Sequence, residues 1–412
     1  MNLKKYKLGE LVEVTRGMSL SGQYYSETGT LIRLTLGNFN MNGGGFKENT
    51  SKTDIYFTGP VKEEYILQEG DIITPLTEQS LGLLGTTARI PESGKYIQSQ
   101  DVALIKCKEG LINRNFCYYL ISSNIVRQQL SAAAQQTKIR HTSPDKIKDC
   151  TVWIPNFEDQ KRIGRILTDI DSKIAINRQI NDNLEAMAKQ LYDYWFVQFD
   201  FPNLDGKPYK SSGGKMVWND KLKREIPEVW RDCKLRDFIN LFDSMRIPLS
   251  SKDREGRKGN YPYYGATGIM DYVNDYLFDG DYILLAEDGS TSDSNGFPIV
   301  QYIWGKNWVN NHAHIILPKE ELHKMFTFQM LKNIPAKKIE TGSIQKKISQ
   351  ENLCGYNMIL PEVYLLEQYE AAIKPLWEKR KKNIAEISAL TKQRDELLPL
   401  LMNGQVSPLN SD

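Results

Sequence analysis

Two long stretches of the chain carry apolar residues at the spacing of helices that bury one narrow side. In the first stretch apolar side chains recur every three or four residues between Ile163 and Tyr194, and in the second they recur between Leu366 and Leu401. A narrow stripe that polar residues interrupt is typical of a coiled coil. About 40 residues at roughly 1.5 Å each make a helix about 60 Å long. We expect the two helices to bury their stripes against each other; the alternative is that each packs only on its own globular domain.

Heptad positions assign individual residues to this helix interface. Asn177 stands at one a position and Lys173 at one d position of the first helix, while two arginines and an asparagine interrupt the second. Pro375 lies inside the second pattern, where it would kink the helix or make the helix start there. The residues predicted to form the interface are Ile163, Ile166, Ile170, Asn177, Ile180, Leu184, Met187, Leu191 and Tyr194 in the first helix, and Leu366, Tyr369, Ile373, Leu376, Ile387, Leu390, Leu397 and Leu401 in the second.

The rest of the chain is rich in short strands. Runs such as DIITP and DVALIKC in the first half, and DYILLA and HAHIILP in the second, are bounded by Gly, Asn, Asp or Pro. Each half also carries a short helical pattern, near residues 115–130 and 321–332. These patterns predict an α+β protein with two mixed, strand-rich domains.

The two halves repeat one another. GDII at 70–73 recurs as GDYI at 280–283, and ALI at 103–105 recurs as AHI at 313–315. Four matches of this kind keep their order along the chain, and each copy ends in one of the long helical patterns, which indicates an internal duplication. The sequence therefore predicts a first globular domain at 1–155, a central long helix at 156–200, a polar linker at 201–229, a second globular domain at 230–360, a C-terminal long helix at 361–403 and a tail at 404–412.

Composition and charge narrow the class of protein. Apolar residues make up 40% and charged residues 25% of the chain, as is usual for a globular protein. No stretch reaches the roughly 18 apolar residues of a membrane helix, and the N-terminus lacks the apolar core of a signal peptide, so we expect a cytoplasmic protein. The five scattered cysteines form no CxxC pair and predict free thiols. Because the net charge is only +2, a nucleic-acid binder would have to concentrate its positive charge locally.

A basic, polar loop precedes each long helix. Residues 127–148 contain five Lys or Arg and one Asp, and residues 332–347 contain five Lys and one Glu. Cations bind phosphates, and Gln and Arg also read base edges. Because the two loops occupy equivalent places in the repeat, we predict that they bind DNA; the alternative is a solvated charged surface. The residues predicted to contact DNA are Arg127, Gln135, Gln136, Lys138 and Arg140 in the first loop, and Lys337, Lys338, Ser343, Gln345, Lys346 and Lys347 in the second.

Two further loops of the second half are candidates for DNA contact. Tyr263 and Tyr264, in the aromatic and Gly-rich stretch YPYYGATG, could set their rings against DNA, although such residues at a strand turn are equally often structural. Glu287 and Asp288 begin the turn sequence EDGSTS and could accept hydrogen bonds from cytosine amino groups.

Motifs for catalysis are missing from the sequence. There is no GxxxxGK[ST] loop, no Gly-rich fingerprint for a methyl-donor or dinucleotide cofactor, and no Asn-Pro-Pro-aromatic motif of the kind that adenine methyltransferases use. His312 and His314 lie two residues apart on a predicted strand and could face one metal, but no Cys or carboxylate stands nearby at ligand spacing. We therefore predict no metal site and no catalytic residue. A stand-alone nuclease or methyltransferase with unrecognised motifs, and a structural coiled-coil protein without a DNA role, remain the alternatives.

The order of the parts resembles the specificity subunit of Type I restriction–modification systems, over nearly the whole chain. The segments that carry the resemblance are NFEDQKRIGRIL at the entry to the first long helix, YDYWFVQFDFP and GKPYKSSGGKMV after it, IPEVW at the opening of the second copy, and the closing LLPLLMNGQV.

The resemblance implies that each globular copy is a target recognition domain that reads one half of a split DNA site. It implies that the two helices pack antiparallel, fix the gap between the half-sites as a ruler, and dock two modification subunits that methylate adenine. Two restriction subunits can join the family's complexes. No cofactor is expected on this chain; S-adenosylmethionine, ATP and magnesium are expected on the partner subunits.

Overall fold

The computed structural model describes residues 1–40, 44–78, 82–133, 140–320, 323–342 and 345–407 of the chain. The chain divides into two compact units. Unit 1 consists of Met1–Gln179 and Asn383–Asp412, and unit 2 consists of Ile180–Lys382. No helix within the described ranges is long and apolar enough to cross a membrane.

Unit 1 is built on two four-stranded sheets and several helices. Its elements are β1 (Lys4–Lys7), α1 (Leu8–Leu11), β2 (Val12–Arg16), β3 (Tyr25–Ser26), β4 (Ile32–Arg33), β5 (Tyr56–Phe57), β6 (Ile72–Pro75), β7 (Thr77–Glu78), β8 (Ala88–Arg89), β9 (Tyr96–Ile97), β10 (Val102–Cys107), α2 (Arg114–Ser122), α3 (Asn124–Ala133), β11 (Arg140–His141), α4 (Pro144–Lys148), β12 (Thr151–Ile154) and the first part of α5 (Phe157–Tyr192). The main sheet has the order β2-β10-β6-β8 and the second sheet the order β3-β5-β4-β9. β1 pairs with β12 and joins the two ends of the globular part.

Unit 2 repeats this arrangement. Its elements are the end of α5, β13 (Met216–Asn219), β14 (Arg224–Pro227), β15 (Arg231–Lys234), α6 (Leu235–Phe238), β16 (Ile239–Leu241), α7 (Ser251–Glu255), β17 (Lys258–Tyr264), β18 (Ile269–Val273), β19 (Phe278–Asp279), β20 (Tyr282–Ala286), β21 (Val300–Ile303), β22 (Lys306–Val309), β23 (Ala313–Pro318), α8 (Lys324–Lys332), β24 (Glu340–Thr341), β25 (Lys347–Ile348), α9 (Gln350–Gly355), β26 (Asn357–Leu360) and the first part of α10 (Val363–Met402), whose remainder belongs to unit 1.

The predicted duplication is visible in the strand orders. The main sheet of unit 2, β16-β23-β20-β21, matches the main sheet of unit 1 strand for strand, and the closing pair β15–β26 matches β1–β12. The second sheet, β18-β17-β22-β19, contains the same kind of parallel contact, because β17 pairs parallel with β22 as β4 does with β9. The two copies therefore share a hydrogen-bonding frame as well as sequence matches.

The two cores are filled differently. In unit 1, α2 and α5 pack together through Phe116, Leu120, Ile163 and Leu167, all fully buried. In unit 2 the matching place is aromatic: Phe196 lies 4.8 Å from Phe326 and 5.0 Å from Tyr369 between ring centroids. Each such ring pair adds roughly 0.5–1.5 kcal/mol to the free energy of unfolding beyond its buried area.

Within each unit, a segment of α5 runs antiparallel to a segment of α10. In unit 1, Asp171 meets Arg394 at 2.9 Å and Asn177 donates to Glu386 at 2.9 Å, so residue numbers rise along one helix as they fall along the other. In unit 2, Glu185 pairs with Arg380 at 3.2 Å, and the Tyr369 hydroxyl donates to the carbonyl of Ala188. Ion pairs and buried apolar residues alternate along these contacts, as in other coiled coils. On α10, the predicted residues Leu366, Tyr369, Ile373 and Leu401 are buried, and Leu376, Ile387, Leu390 and Leu397 are partly buried.

The first long helix buries one of its two predicted rows of residues, whereas its second buried row differs from the predicted one. Ile166, Met187 and Tyr194, assigned to d positions, are 37%, 53% and 38% exposed. The second row of the helix could begin three residues after Ile163, at Ile166, or four residues after it, at Leu167. Both rows contain apolar residues, so periodicity alone could not choose between them. In the structure the second row begins at Leu167. Ile163 and Asn177 are buried and Ile170, Ile180, Leu184 and Leu191 partly buried, but the second buried row consists of Leu167, Ile174, Asn181, Ala188 and Trp195.

Two local expectations also change. α10 continues through Pro375 without ending, with Ile373 and Trp377 almost fully buried on either side of it. Their burial offsets the roughly 3 kcal/mol that a proline costs inside a helix. The segment 201–229, expected as a linker, is folded: β13 and β14 form a hairpin, and the ring of Phe201 stacks on Tyr209 at 4.6 Å. Its polar composition hid these few aromatic and apolar anchors.

Candidate nucleic-acid interface

Several loops of unit 2 meet at one end of its sheets. The amide of Asn310 donates to the sulfur of Met270 at 3.3 Å, and its oxygen accepts from the backbone N–H of His312. The His312 ring lies 2.6 Å from Asp288, and Asp288 forms a backbone bridge with Lys347 at the start of β25. These contacts bring together four segments that lie far apart in the sequence. We call this surface the loop edge of unit 2, defined by residues 265–270, 287–292, 310–312 and 345–347.

A buried polar network supports the loop edge from inside. His314, on the central strand β23, has no exposed surface; its Nδ1 lies 2.5 Å from an Asp243 oxygen and its Nε2 lies 2.7 Å from the carbonyl of Ile348. Arg246 contacts Asp243 at 3.5 Å and Glu287 at 2.7 Å. The network thus ties the return strand of the basic loop to the middle of the main sheet.

The carboxylates of this network are held in the charged form. Burial alone would raise the pKa of Asp243, but hydrogen bonds from His314, from the Ile315 N–H and from the Gln350 amide outweigh it, so the pKa is lowered. Glu287 behaves in the same way, because Arg246, His314 and Lys347 face it and lower its pKa despite burial.

The same network is the one place in the described residues where donors cluster at metal-ligand spacing. One atom each of Asp243, Glu287 and His314 lie within 4.8 Å of one another. Arg246 already supplies positive charge to both carboxylates, and both ring nitrogens of His314 face protein oxygens. The arrangement therefore serves as a structural ion-pair network. His312, which the sequence paired with His314 as possible ligands of one metal, faces the surface and a different carboxylate, that of Asp288.

Unit 1 has a matching edge with different side chains. β11 pairs with β7, so that Arg140 stands opposite Glu78. Glu78 is buried and accepts hydrogen bonds from the backbone N–H groups of Gly82, Leu83 and Leu84, while Arg140 approaches it to 3.6 Å. A groove of about 350 Å³ opens beside this pair. The loop edge of unit 1 is defined by the groove and strand-pair residues Arg16, Gly17, Ser19, Thr77, Glu78, Gln100, Asp101, Arg140 and His141.

The two edges are equivalent at the level of single hydrogen bonds. The N–H of Thr142 donates to the carbonyl of Leu76, and the N–H of Ile348 donates to the carbonyl of Glu287, each at 2.8 Å. In both units a basic loop thus returns beside the end of a main-sheet strand, with a cation next to a carboxylate. This common anchoring was not visible in the sequence, because the partners Glu78 and Glu287 stand about 60 residues before the loops.

The structure places the residues predicted to contact DNA in different surroundings. Tyr263 is 1% exposed, and its hydroxyl accepts from the N–H of Leu249, so it is a core residue. Tyr264 is partly buried, and burial raises its pKa to about 12. Arg127 is partly buried and donates to the hydroxyl of Thr86. Lys337, Lys338, Gln345, Lys346 and Lys347 are exposed, Arg140 is partly exposed, and Gln135, Gln136, Lys138 and Ser343 lie outside the described residues.

The sequence and the fold match a known class of protein. The family model of the type I restriction modification DNA specificity domain matches residues 2–186 and 227–373, so the chain belongs to this family. The chain is 23% identical over 318 residues to the type I restriction enzyme MjaIX specificity subunit of Methanocaldococcus jannaschii, covering 73% of this chain and 70% of that protein. It is 37% identical over 134 residues to a putative type I restriction enzyme specificity subunit, S.HindORF215P, of Haemophilus influenzae, covering 32% of this chain and 33% of that one.

A solved structure agrees with the fold. The type I restriction–modification system S subunit from M. genitalium superposes with a TM-score of 0.58 at 17% identity, covering 98% of this chain and 96% of that one. The expected family, the two-domain α+β repeat and the role in DNA sequence recognition within a type I restriction–modification complex are confirmed. The chain is the specificity component and not a catalytic subunit.

Proposed function

We propose that this chain reads a split DNA site, one half with the loop edge of each unit. The observation that carries the proposal is the equivalence of the two edges. In each unit a basic loop is held beside the end of a main-sheet strand by the same backbone hydrogen bond and by a cation–carboxylate contact, Arg140 with Glu78 and Lys347 with Glu287. Two copies of one reading surface in one chain suit a recognition site that consists of two separate halves.

The chemistry of the edges fits base reading flanked by phosphate contacts. In unit 2 the centre of the edge offers both donors and acceptors, because His312, Asp288 and Glu287 are partly accessible. The exposed Lys337 and Lys338 supply positive charge at the flank. Balanced charge in the middle suits hydrogen bonds to base edges, and cations at the flank suit phosphates.

The remaining parts of the proposal concern partners. The antiparallel segments of α5 and α10 fix the gap between the half-sites and dock two modification subunits, with restriction subunits joining these. S-adenosylmethionine, ATP and magnesium act on those partner subunits, and the assembly works in the cytoplasm. The chain itself supplies no catalytic group.

A methylation map tests the whole proposal. The chain is produced with its modification subunit in a host that lacks adenine methylation, and modified adenines are located by single-molecule sequencing. We expect a split motif with a fixed gap and one modified adenine on each strand. An unsplit motif would refute the two-edge reading, and an assembled complex that modifies no DNA would refute DNA reading itself.

A further inference from the structure

An edge strand in unit 2 exposes large apolar side chains next to the loop edge. β18 is the outer strand of its sheet, and Ile269, Met270 and Tyr272 on it are 46%, 56% and 50% exposed. Exposed apolar residues on an outer strand favour association with another molecule, so proteins usually avoid them. Their exposure on an outer strand therefore indicates a surface that binds a partner.

The matching strand of unit 1 is covered. β5 occupies the place of β18, since it pairs with β4 as β18 pairs with β17. β3 lies on the outer side of β5, and the rings of Tyr24 and Tyr25 pack edge-on against Phe57. Within the described part of unit 2, no strand takes the place of β3 beside β18. The exposure is therefore particular to unit 2 and is not a general property of the fold.

The strand is held firmly in its exposed position. The four-residue turn between β17 and β18 is closed by a hydrogen bond from the N–H of Gly265 to the carbonyl of Gly268. The amide of Gln301 donates to the carbonyls of Gly265 and Ala266, and Asn310 donates to the sulfur of Met270. Strands β17 and β18 and their turn are therefore preorganised, and a preorganised element loses little conformational entropy on binding.

The positive charge beside β17 and β18 favours a nucleic acid over a protein as the partner. Residues 250–260, which lead into and begin β17, contain four Lys or Arg against one Asp and one Glu. Arg257 and Lys258 are exposed there. Asp271, on β18 itself, is paired with Arg254 and Lys258, so residues 250–273 together carry four cations against three carboxylates, a small positive excess. An apolar strand between a basic turn and the loop edge suits a duplex, whose phosphates attract the cations while the bases meet the strand.

We propose that the β17–β18 ribbon, residues 258–273, enters the DNA major groove and that Ile269 and Met270 contact thymine methyl groups of the half-site read by unit 2. The major groove accommodates β-strands as well as helices, and there the thymine methyl is the apolar feature of the base pairs. The ribbon joins the loop edge through the contact between Met270 and Asn310, so both belong to one reading surface. This inference rests on the proposed function and assigns to unit 2 a base-reading element that unit 1 lacks.

The test uses the assembled modification complex and duplexes that carry its methylation-mapped site. Each thymine of the unit 2 half-site is replaced in turn by uracil, which lacks only the methyl group. We expect at least one replacement to weaken binding by the wild-type complex about fourfold, the effect of one buried methyl-sized group. In the double variant Ile269→Thr/Met270→Gln, which keeps an acceptor for Asn310, the same replacement should have no further effect. Val229→Thr, at another exposed apolar residue of unit 2, is the control.

The outcomes separate the inference from the function on which it rests. Wild-type binding that uracil does not weaken, a unit 2 half-site without thymine, or a double variant with unchanged affinity would overturn the ribbon contact and leave DNA reading intact. A double variant that binds DNA normally but no longer assembles with the modification subunit would show that the strand faces protein, and would also overturn the inference. A wild-type complex that binds no split site would refute the function and the inference together.

Discussion

Units 1 and 2 share one frame but differ at the centre of their main sheets. Leu104 on β10 and His314 on β23 occupy equivalent places, each on the middle strand that pairs on both sides. Leu104 packs among apolar side chains, whereas His314 joins Asp243, which Arg246 also contacts. The duplication has thus retained strand register and backbone hydrogen bonds, while the side chains behind each loop edge have diverged.

The same contrast holds where the helices begin. In unit 1 the side chain of Asn113 caps α2 by accepting hydrogen bonds from the N–H groups of Asn115 and Phe116. Gly164 of α5 lies close to this end of α2, and a Cβ at that position would stand 2.8 Å from the Phe116 nitrogen. In unit 2 the carboxylate of Glu370, on α10, accepts from the N–H of Phe326 on α8. One unit satisfies the helix end locally and the other satisfies it from a neighbouring helix.

The largest expected effect comes from exchanging one unit's reading surface. If residues 230–360 are replaced by another recognition domain, the cut points fall just outside the strand pair β15–β26 that closes this part of the fold. We expect the methylation map to show a new second half-site and an unchanged first half-site. A change in both halves would mean that the two surfaces do not read independently.

A shorter pair of helices should alter the gap and neither half-site. Removing residues 177–183 together with 380–386 deletes one heptad from each helix and keeps the antiparallel alignment. Seven residues span about 10 Å, so we expect the gap in the methylated motif to shorten by up to about three base pairs. Met187→Gln, at an exposed position of α5, should leave the gap as it is. An unchanged gap after the paired deletion would exclude the ruler.

Removing the buried histidine tests the difference between the sheet centres. His314→Leu would leave Asp243 without its ring partner and the carbonyl of Ile348 without its imidazole donor, so we expect the free energy of unfolding of unit 2 to fall by about 3–5 kcal/mol. Six of the seven tryptophans lie in unit 2, and only Trp153 lies in unit 1, so urea unfolding followed by tryptophan fluorescence reports mainly on unit 2. In unit 1, Leu104→Ala should cost about 2–5 kcal/mol through a cavity and should hardly move that signal.

Coupling distinguishes a network from simple packing. The double variant Asp243→Asn/His314→Leu should lose less free energy of unfolding than the two single variants lose in sum, because either change alone already breaks the pair. Additive losses would mean that His314 acts by filling space, as Leu104 does.

The sequence predicted the repeat, the long helices and the class of protein, because these depend on patterns that extend over many residues. It did not predict which row of α5 is buried, since Ile166 and Leu167 are equally apolar and only the facing helix decides between them. It also placed Tyr263 at the surface and overlooked Ile269 and Met270, because a Gly-rich turn does not show which of its two strands will be the outer one. Asp243 and Arg246 stand about 70 residues before His314, so their network depends on folding and leaves no local signal.

The smallest effect concerns the borrowed helix cap of unit 2. Burial raises the pKa of Glu370 to about 7, although the backbone N–H groups of Phe326 and Met325 act in the opposite direction. Because the folded-state pKa lies above the ordinary value of 4.5, the protonated form fits the fold, and stability falls as pH rises from about 4.5 through 7. Glu370→Gln mimics the protonated acid and still accepts from Phe326. We expect this variant to raise the free energy of unfolding by about 1–3 kcal/mol at pH 8 and to have little effect near pH 4.5.

The control for this change is Glu378→Gln, at an exposed position of the same helix, which should shift unfolding little at either pH. A stabilisation by Glu370→Gln that is equal at pH 4.5 and 8 would show that the carboxylate is not the source of the cost. A loss of stability at pH 8 would show instead that α8 needs a charged cap, as the positive end of a helix generally favours. Unit 1 provides the reference, since its Asn113 cap carries no charge and should give α2 no pH dependence in this range.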